Sequence, residues 1–237
     1  PSSEGSVMVP CAATFLGRIE YPRAWDLQRR LHRDVADGTL PDLLLLLEHP
    51  HVFTLGRRGK ATDILTNADT LSRLGVEVHA IDRGGEVTYH GPGQTVVYLL
   101  LDVRRLGLGA RAVVTAIEDS VVEYLRDQGL DAENRPGAPG VYVAGAKIAS
   151  LGLRIRQRGS YHGLSLNREP DPAPWRRINP CGYAGQPVTS LAAEGVTVSR
   201  QALEQDLVTI LSRRLGLTLR TAPPPDWYTP LQSPQGR

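Results

Sequence analysis

The chain has 237 residues, of which 41% are hydrophobic, and a formal net charge of +2. A chain of this length can bury one large core, and so small a net charge gives no support to nucleic-acid binding. The longest aliphatic run, residues 43–47, is far shorter than the ~18–20 residues of a membrane-spanning helix. No basic and then apolar leader opens the sequence. We therefore expect one cytoplasmic domain over residues 1–237, with its core in residues 10–220 and a tail in residues 221–237.

Short strands and helices alternate in the first half of the chain. Hydrophobic patterning predicts strands at residues 13–19, 43–48, 52–55, 76–81 and 96–101. It predicts helices at residues 21–35, 67–74 and 111–128. The last of these has an apolar side made by Val114, Ile117, Val121, Tyr124 and Leu125.

The second half is richer in strands. Residues 134–140 read as a turn, and strands are predicted at residues 141–143, 147–156 and 160–166. Residues 168–180 are proline-rich and irregular. Ser199 is the predicted N-cap of a helix that ends at Arg214, and a tail begins at Pro223. Because there is no regular βαβ alternation, the pattern favours the α+β class over a doubly wound sheet.

Residues 83–94, with the sequence RGGEVTYHGPGQ, form the most informative stretch of the chain. Its four glycines let backbone N–H groups approach a bound group closely. Arg83 and His90 beside those groups suit an anionic or carbonyl-bearing ligand. The alternative is a plain surface turn. The length of the stretch, its aromatic Tyr89 and its apolar flanks favour a binding site.

A second glycine-rich stretch, residues 107–112, imitates a dinucleotide-binding loop. Its glycines do not directly follow a strand, and no strand ending in an acidic residue appears about 20 residues later. We interpret it as a loop that leads into a helix. The phosphate-binding pattern GxxxxGK[ST] does not occur in the sequence, so a P-loop is excluded.

Three histidines are candidates for the site. His49 and His51 flank Pro50, but no second cluster supports a metal site. We expect His51 to be a packed loop residue, and His49 remains a candidate for lining the site. His162 is either catalytic or a hydrogen-bonded strand residue, and the sequence leaves the two alternatives open.

Cysteine and lysine are both rare in this chain. The two cysteines, Cys11 and Cys181, form no CxxC pair, so neither a zinc site nor a disulfide framework is expected. Cys181 lies between proline and glycine, and a thiol on such a turn can be exposed and reactive. Of the 27 Lys and Arg residues, only Lys60 and Lys147 are lysines. Lys147, in an apolar and glycine-rich run, is either a strand lysine that reaches solvent or a base and charge partner. Together with residues 83–94, Cys181 and Lys147 suggest acyl transfer with a thiol nucleophile.

At this point the sequence resembles a known family. Residues 83–98, RGGxxTYHGPGQxxxY, are similar to the signature of the lipoyl(octanoyl) transferases, the octanoyl-acyl carrier protein:protein N-octanoyltransferases. The resemblance extends to residues 48–57, 147–152, 161–167 and 179–183, in family order. These enzymes move an octanoyl group from acyl carrier protein to a lysine of lipoyl domains, the first step of endogenous lipoate biosynthesis.

The resemblance implies a biotin/lipoyl-ligase-like α+β fold, related to class II aminoacyl-tRNA and biotin synthetases, with a mixed sheet flanked by helices. It implies a single catalytic domain in which Cys181 is the acyl-thioester nucleophile and Lys147 its partner, without a metal or cofactor. The implied donor is octanoyl-acyl carrier protein. The implied acceptors are lipoyl domains of 2-oxoacid dehydrogenases and the glycine cleavage H protein. The implied substrate-binding residues are Arg83, Gly84, Gly85, Glu86, Val87, Thr88, Tyr89, His90, Ser150, Leu151, Gly152, Gly163, Leu164 and Ser165.

Three other functions are weighed against this one. An ATP-dependent lipoate or biotin ligase would share the fold but need no nucleophilic cysteine. A hydrolase built on Cys181 and His162 would need no amine acceptor. A binding module would form no thioester. Arginines recur at positions 57, 58, 154, 156, 158, 176 and 177, and they either lie on solvated faces or attract an acidic carrier protein.

Overall fold

The computed structural model describes residues 8–179 and 186–221. The strands in these residues are β1 (Val9–Arg18), β2 (Asp42–Glu48), β3 (Val52–Leu55), β4 (Glu77–Ala80), β5 (Val87–His90), β6 (Gln94–Leu100), β7 (Ala132–Arg135), β8 (Ala138–Val143), β9 (Ala146–Arg156), β10 (Gly159–Asn167) and β11 (Leu217–Thr221). The α-helices are α1 (Tyr21–Ala36), α2 (Ala68–Arg73), α3 (Ala110–Asp127) and α4 (Arg200–Leu215), and short 3₁₀ helices span Ala61–Asp63 and Ala173–Arg177.

The strands form two sheets of unequal size. The large sheet has the order β11-β1-β2-β6-β10-β9-β8-β7, and the small one has the order β4-β3-β5. The pairs β11–β1 and β1–β2 are parallel, whereas β2–β6, β6–β10 and β10–β9 are antiparallel. This mixed sheet confirms the expected α+β class.

Two neighbouring inner strands of the large sheet, β2 and β6, are buried at every position. Alternate side chains of β2 enter different cores: Leu44 and Leu46 pack with α3 and α4, whereas Leu43, Leu45 and Leu47 pack with α1. The sheet is therefore covered by helices on both faces. A strand that is buried on both faces reads as a continuous apolar run, which is why LLLLL was recognisable.

The helix predictions are confirmed, including the N-cap at Ser199, and Asn67 is a second N-cap. The Asn67 side chain accepts a hydrogen bond from the Thr70 backbone N–H at 2.9 Å, and Ser199 Oγ accepts one from Ala202 at 3.1 Å. In α1, Trp25 is half-buried and the buried residues include Gln28, Leu31, His32 and Val35. In α3, Val113 rather than Val114 enters the core.

Three predictions need correction, and one strand was not predicted. Residues 134–140 are not simply a turn, because β7 and β8 form a hairpin around Gly137, whose φ is +79°. Residues 83–94 are not a continuous loop, because β5 lies within them. The first strand begins earlier than predicted, and β11, which was not predicted, extends the sheet beside it. Apart from residue 221, the predicted tail lies outside the described residues. No helix in the described parts of the chain is long and apolar enough to cross a membrane.

Candidate active site

Two adjoining pockets form one groove on the α1 face of the large sheet. The inner pocket encloses about 380 Å³ and is lined by Tyr21, Arg83, Thr88, His90, Val96, Tyr98, Ser150, Leu151, Gly152, His162, Gly163, Leu164 and Ser165. The outer pocket encloses about 370 Å³ and is lined by Thr88, Lys147, Ser150, Asn167, Trp175, Gln186 and Val188. Both volumes include open solvent at the mouth. Because Thr88 and Ser150 belong to both pockets, we call this pair the neck of the groove.

The floor of the inner pocket is built from neighbouring strands of the large sheet. Three cross-strand pairs between β9 and β10 line it: Ser150–Ser165, Leu151–Leu164 and Gly152–Gly163. A Cβ atom at Gly163 would lie 2.0 Å from the carbonyl oxygen of Val97, so a larger residue would force the strands apart. The glycine is therefore needed for the close pairing that forms the floor.

The roof is held by Arg83, which is 8% exposed. Its guanidinium donates hydrogen bonds to the carbonyl oxygens of Thr54 at 2.7 Å, Gly84 at 2.9 Å and Glu86 at 2.7 Å. Gly84 in turn donates to the carbonyl of Leu153 in β9 at 3.3 Å. Arg83 therefore ties the glycine-rich segment to β3 and so fixes it over the sheet. Sequence reasoning had assigned these donors to a ligand, whereas most of them are used by the backbone.

The structure brings most of the predicted substrate-binding residues together. Those that line the inner pocket are Arg83, Thr88, His90, Ser150, Leu151, Gly152, Gly163, Leu164 and Ser165. Five others do not line either pocket: Gly84, Gly85, Glu86, Val87 and Tyr89. Val87 and Tyr89 instead pack in the core of the small sheet. Contact of any of these residues with a substrate stays a prediction.

His90 faces the inner pocket as a neutral imidazole. The amide nitrogen of Gln94 donates to Tyr89 and Asn167, so its oxygen accepts from His90 Nδ1 at 2.8 Å. Burial lowers the pKa of His90 to about 3. The ring therefore carries its hydrogen on Nδ1, and Nε2 is left as an acceptor.

His49, which the sequence left as a candidate for lining the site, does not line the groove. Its Nδ1 donates to the carbonyl of Ile19 at 2.7 Å, so its Nε2 accepts from the Tyr98 hydroxyl at 2.7 Å. Burial lowers the pKa of His49 to about 4. His49 thus supports Tyr98, which lines the inner pocket, from behind. His51 bonds the Tyr89 hydroxyl at 2.7 Å, as expected of a packed loop residue.

His49 and His90 give the fold a predicted sensitivity to acid. The unfolded chain binds a proton at each near pH 6.5, whereas the folded chain does so only near pH 4 and 3. Stability from the neutral rings is therefore fully present above about pH 6.5 and is lost as pH falls towards those lower values, by at most ~1.4 kcal/mol per pH unit for each ring. We expect urea unfolding at pH 7 and pH 5 to show this loss. His49→Gln and His90→Gln should each flatten the slope, and an unchanged slope in both variants would contradict the assignment.

His162 lies at the inner end of the inner pocket with φ +60° and is 1% exposed. Its Nε2 is 3.0 Å from Asp82 Oδ1, and Tyr161 donates to the other oxygen of the same carboxylate. The hydrogen bond from His162 holds the pKa of Asp82 well below its usual range. Burial lowers the pKa of His162, so the ring is neutral. The sequence left open whether His162 is catalytic or a hydrogen-bonded strand residue. Its contacts within the protein are those of a hydrogen-bonded strand residue.

Lys147 lies in the outer pocket. Its Nζ donates to the carbonyl of Pro139 at 3.1 Å and lies 5.3 Å from the centre of the Tyr142 ring. Gly140 leaves room for this side chain, because a Cβ atom there would lie 3.2 Å from Lys147 Cε. The backbone of Lys147 pairs with the segment that follows residue 185, donating to Pro187 at 2.8 Å.

Of the two cysteines, only Cys11 lies among the described residues. Cys181 lies outside the described residues, in the gap that the chain enters after Asn179 and leaves at Gln186. Gln186 lines the outer pocket together with Lys147. Cys11 is 2% exposed in β1, and burial raises the pKa of its thiol far above the usual value. A buried, protonated thiol is inert, so Cys11 is no candidate nucleophile.

Several residues of the groove were missed by sequence reasoning about the site. Tyr21, Val96 and Tyr98 line the inner pocket, and Asp82 supports His162 from outside it. Tyr98 closes the motif of residues 83–98, which was a usable signal. Tyr21 begins a helix and carries no local signal, because only the packing of α1 against the sheet brings it to the groove.

The family model described as the lipoyl protein ligase A/B catalytic domain matches residues 20–212. The chain belongs to this family. Its curated relatives include the octanoyltransferase of Alcanivorax borkumensis, 51% identical over 220 residues, which cover 92% of this chain and 86% of that protein. The octanoyltransferase of Stutzerimonas stutzeri is 53% identical over 176 residues, which cover 74% and 77%. The resemblance to octanoyltransferases, which are acyltransferases, is confirmed.

Solved structures show the same fold at low sequence identity. The bipartite lipoate protein ligase of Thermoplasma acidophilum has a TM-score of 0.75 at 17% identity, with 92% of this chain and 88% of that one covered. The biotin protein ligase of Aquifex aeolicus in complex with biotin and ATP has a TM-score of 0.53 at 14% identity, with 86% and 70% covered. These similarities confirm the biotin/lipoyl-ligase-like fold.

Proposed function

We propose that the protein transfers an octanoyl group from acyl carrier protein to a specific lysine of lipoyl domains through a thioester on Cys181. This reaction is the first step of endogenous lipoate biosynthesis, and we place it in the cytoplasm. The observation that carries the proposal is the groove itself, in which the outer pocket holds Lys147 and the inner pocket lies beyond the neck. The carbonyl would react at the outer pocket while the acyl chain lies in the inner one.

The inner pocket suits an eight-carbon chain in polarity. Val96, whose side chain lies on the α1 face of the sheet, contributes apolar surface, and both His90 and His162 are neutral. Each CH₂ group that leaves water contributes ~0.8 kcal/mol to binding.

The first half-reaction is a thioester exchange. The Cys181 thiolate attacks the carbonyl carbon of the donor, an S–C bond forms, and the thiolate of the carrier leaves. Because one thioester replaces another, the step is close to neutral in free energy. A positive charge on Lys147 near the sulfur would favour the thiolate. Backbone N–H groups near Cys181 or in the glycine-rich segment would stabilise the tetrahedral oxyanion.

The second half-reaction forms an amide. The acceptor lysine attacks the acyl-Cys181 carbonyl, a C–N bond forms, and the Cys181 thiolate leaves. The attacking amine must lose a proton, and neutral Lys147 would take it. Since an amide is more stable than a thioester, this step is downhill and ATP is not needed.

Two rival functions are separated from acyl transfer by experiment. A hydrolase built on Cys181 and His162 would release free octanoate in water and would need no amine acceptor. An ATP-dependent ligase shares the fold, so the fold alone does not separate it from a transferase. The test is to mix the protein with octanoyl-acyl carrier protein and a lipoyl domain without ATP. We expect intact-mass spectrometry to show one octanoyl group on the lipoyl domain. Transfer only with ATP and free octanoate would support the ligase, and free octanoate as the sole product would support the hydrolase.

The predicted carrier-docking arginines fall into separate regions of the surface. Arg158 is paired with Asp102 at 3.0 Å, and Arg154 lies 3.8 Å from Asp82. Arg156 is exposed at the end of β9 that is remote from Lys147. Arg176 is exposed on the 3₁₀ helix Ala173–Arg177, next to Trp175 of the outer pocket. Position therefore favours Arg176 for contact with the donor.

We expect Arg176→Glu to raise the Michaelis constant for octanoyl-acyl carrier protein several-fold at low salt, because acyl carrier proteins are acidic. Arg156→Glu is the matched control, with the same charge change at the remote end of the sheet. The Michaelis constant of the wild type for the carrier-bound donor should also rise with salt, as screening shortens to ~8–10 Å. A small octanoyl thioester should show little of either effect. Equal effects of the two variants, or equal salt dependence of the two donors, would count against docking at Arg176.

A further inference from the structure

Tyr98 and His162 line the inner pocket and lie further along their strands from the neck than Val96 and Ser165 do. Along β9, Leu153 is three residues beyond Ser150 of the neck, a distance of ~10 Å in a strand. His162 is the cross-strand partner of Leu153. An extended eight-carbon chain of ~1.5 Å bonds spans roughly 9 Å. A chain whose carbonyl lies at the neck would thus end at the level of His162.

The imidazole of His162 is fixed in one tautomer. Asp82 is an ionised carboxylate and only accepts hydrogen bonds, so the hydrogen of the neutral ring is on Nε2 and is donated to Asp82. Nδ1 is then an acceptor. It is buried and has no hydrogen-bond partner among the described residues. The backbone holds the ring in place, because His162 N donates to Gln28 Oε1 at 2.8 Å.

A buried acceptor without a partner is unusual in a folded protein, because it loses its hydrogen bonds to water without replacing them. Asp82, to which Nε2 is turned, lines a different pocket from His162, together with Arg156 and Tyr161. Nδ1 is therefore the polar atom of this ring that remains for the inner pocket. A molecule that fills the pocket and presents a donor at this point would satisfy it.

On the basis of the proposed acyl transfer, we propose that His162 Nδ1 is a subsite for a hydrogen-bond donor at the far end of the acyl chain. The ligand class is a straight-chain acyl thioester that ends in a hydroxyl group. Asp82 is a positioning residue, since it sets the tautomer that makes Nδ1 an acceptor.

Three thioesters with equal numbers of chain atoms test the subsite: the octanoyl, 7-hydroxyheptanoyl and 6-methoxyhexanoyl thioesters of N-acetylcysteamine. The hydroxyl donates and accepts, whereas the methoxy oxygen only accepts. We expect the wild type to transfer the hydroxyl-terminated chain with a kcat/KM within about tenfold of octanoyl, and the methoxy chain about 10- to 100-fold less well, because it places one acceptor against another.

Two variants then test whether His162 causes the preference for the hydroxyl-terminated chain. In His162→Phe, kcat/KM for the hydroxyl-terminated chain, divided by that for octanoyl, should fall by about 10- to 100-fold. A φ of +60° is unfavourable for phenylalanine and can destabilise this variant. Asp82→Asn therefore tests the same subsite without a change at position 162. An asparagine amide also permits the tautomer with hydrogen on Nδ1, and the preference for hydroxyl over methoxy should then shrink.

The ratios of kcat/KM between the three thioesters test the subsite separately from the proposed function. Normal octanoyl transfer with the same hydroxyl-to-methoxy ratio in the wild type and in both variants would overturn the subsite alone. Strong rejection of the hydroxyl-terminated chain by the wild type would overturn it as well. Absence of octanoyl transfer by the wild type would overturn the proposed function and the subsite with it.

Discussion

Cys181→Ala protein is expected to carry no octanoyl group after incubation with octanoyl-acyl carrier protein, whereas the wild type gains the mass of one. Without the thiol there is no nucleophile to form the intermediate. Transfer to a lipoyl domain should fall by at least about 10³-fold, since loss of a covalent nucleophile removes the reaction path itself. Intact-mass spectrometry of the protein, followed by peptide mapping, measures the adduct and its position.

Cys11→Ala is the matched control, because it removes the other cysteine of the chain. Cys11 is buried in β1, so its thiol is not available to a carrier protein and the adduct should form as in the wild type. An adduct that persists in Cys181→Ala and vanishes in Cys11→Ala would refute the mechanism.

The parts of the fold that the sequence predicts well are those set by local patterns. The apolar run of β2 and the cap at Ser199 each follow from residues that are close together in the chain. The missed elements depend on distant partners. β11 exists because it pairs with β1, more than 200 residues earlier in the chain, and no local signal announces that pairing.

In the groove, too, the residues set by local motifs were predicted and those set by distant packing were missed. Motif resemblance identified residues on β5, β9 and β10, and the cross-strand pairs of β9 and β10 bring them to one floor. Resemblance did not identify the contribution of Tyr21 or the support of His162 by Asp82, which come from packing between distant segments. It also assigned the guanidinium of Arg83 to a ligand. The structure shows that a residue can belong to a binding motif because it shapes the loop.

Lys147→Arg is expected to separate the two half-reactions. The variant keeps a positive charge but has no neutral form that can act as a base. If Lys147 is the base for the incoming amine, acylation of Cys181 should survive better than transfer, and the acyl-enzyme should accumulate. We expect transfer to fall by about 10²–10⁴-fold, the usual contribution of a general base. Lys147→Ala removes both the charge and the base, so both half-reactions should slow.

The surroundings of Lys147 determine how the rates of the two variants should be compared. Its ammonium is held by the carbonyl of Pro139 and by the ring of Tyr142, and a guanidinium at the same place must fit beside Gly140. Misfit would slow acylation as well, so the ratio of the two rates, rather than either rate alone, is the decisive quantity. Single-turnover mass spectrometry of both variants, with and without a lipoyl domain, yields that ratio. Transfer at the wild-type rate from acylated Lys147→Ala protein would refute any role as a base, and equal slowing of both steps in Lys147→Arg would show that the charge or the fit is what counts.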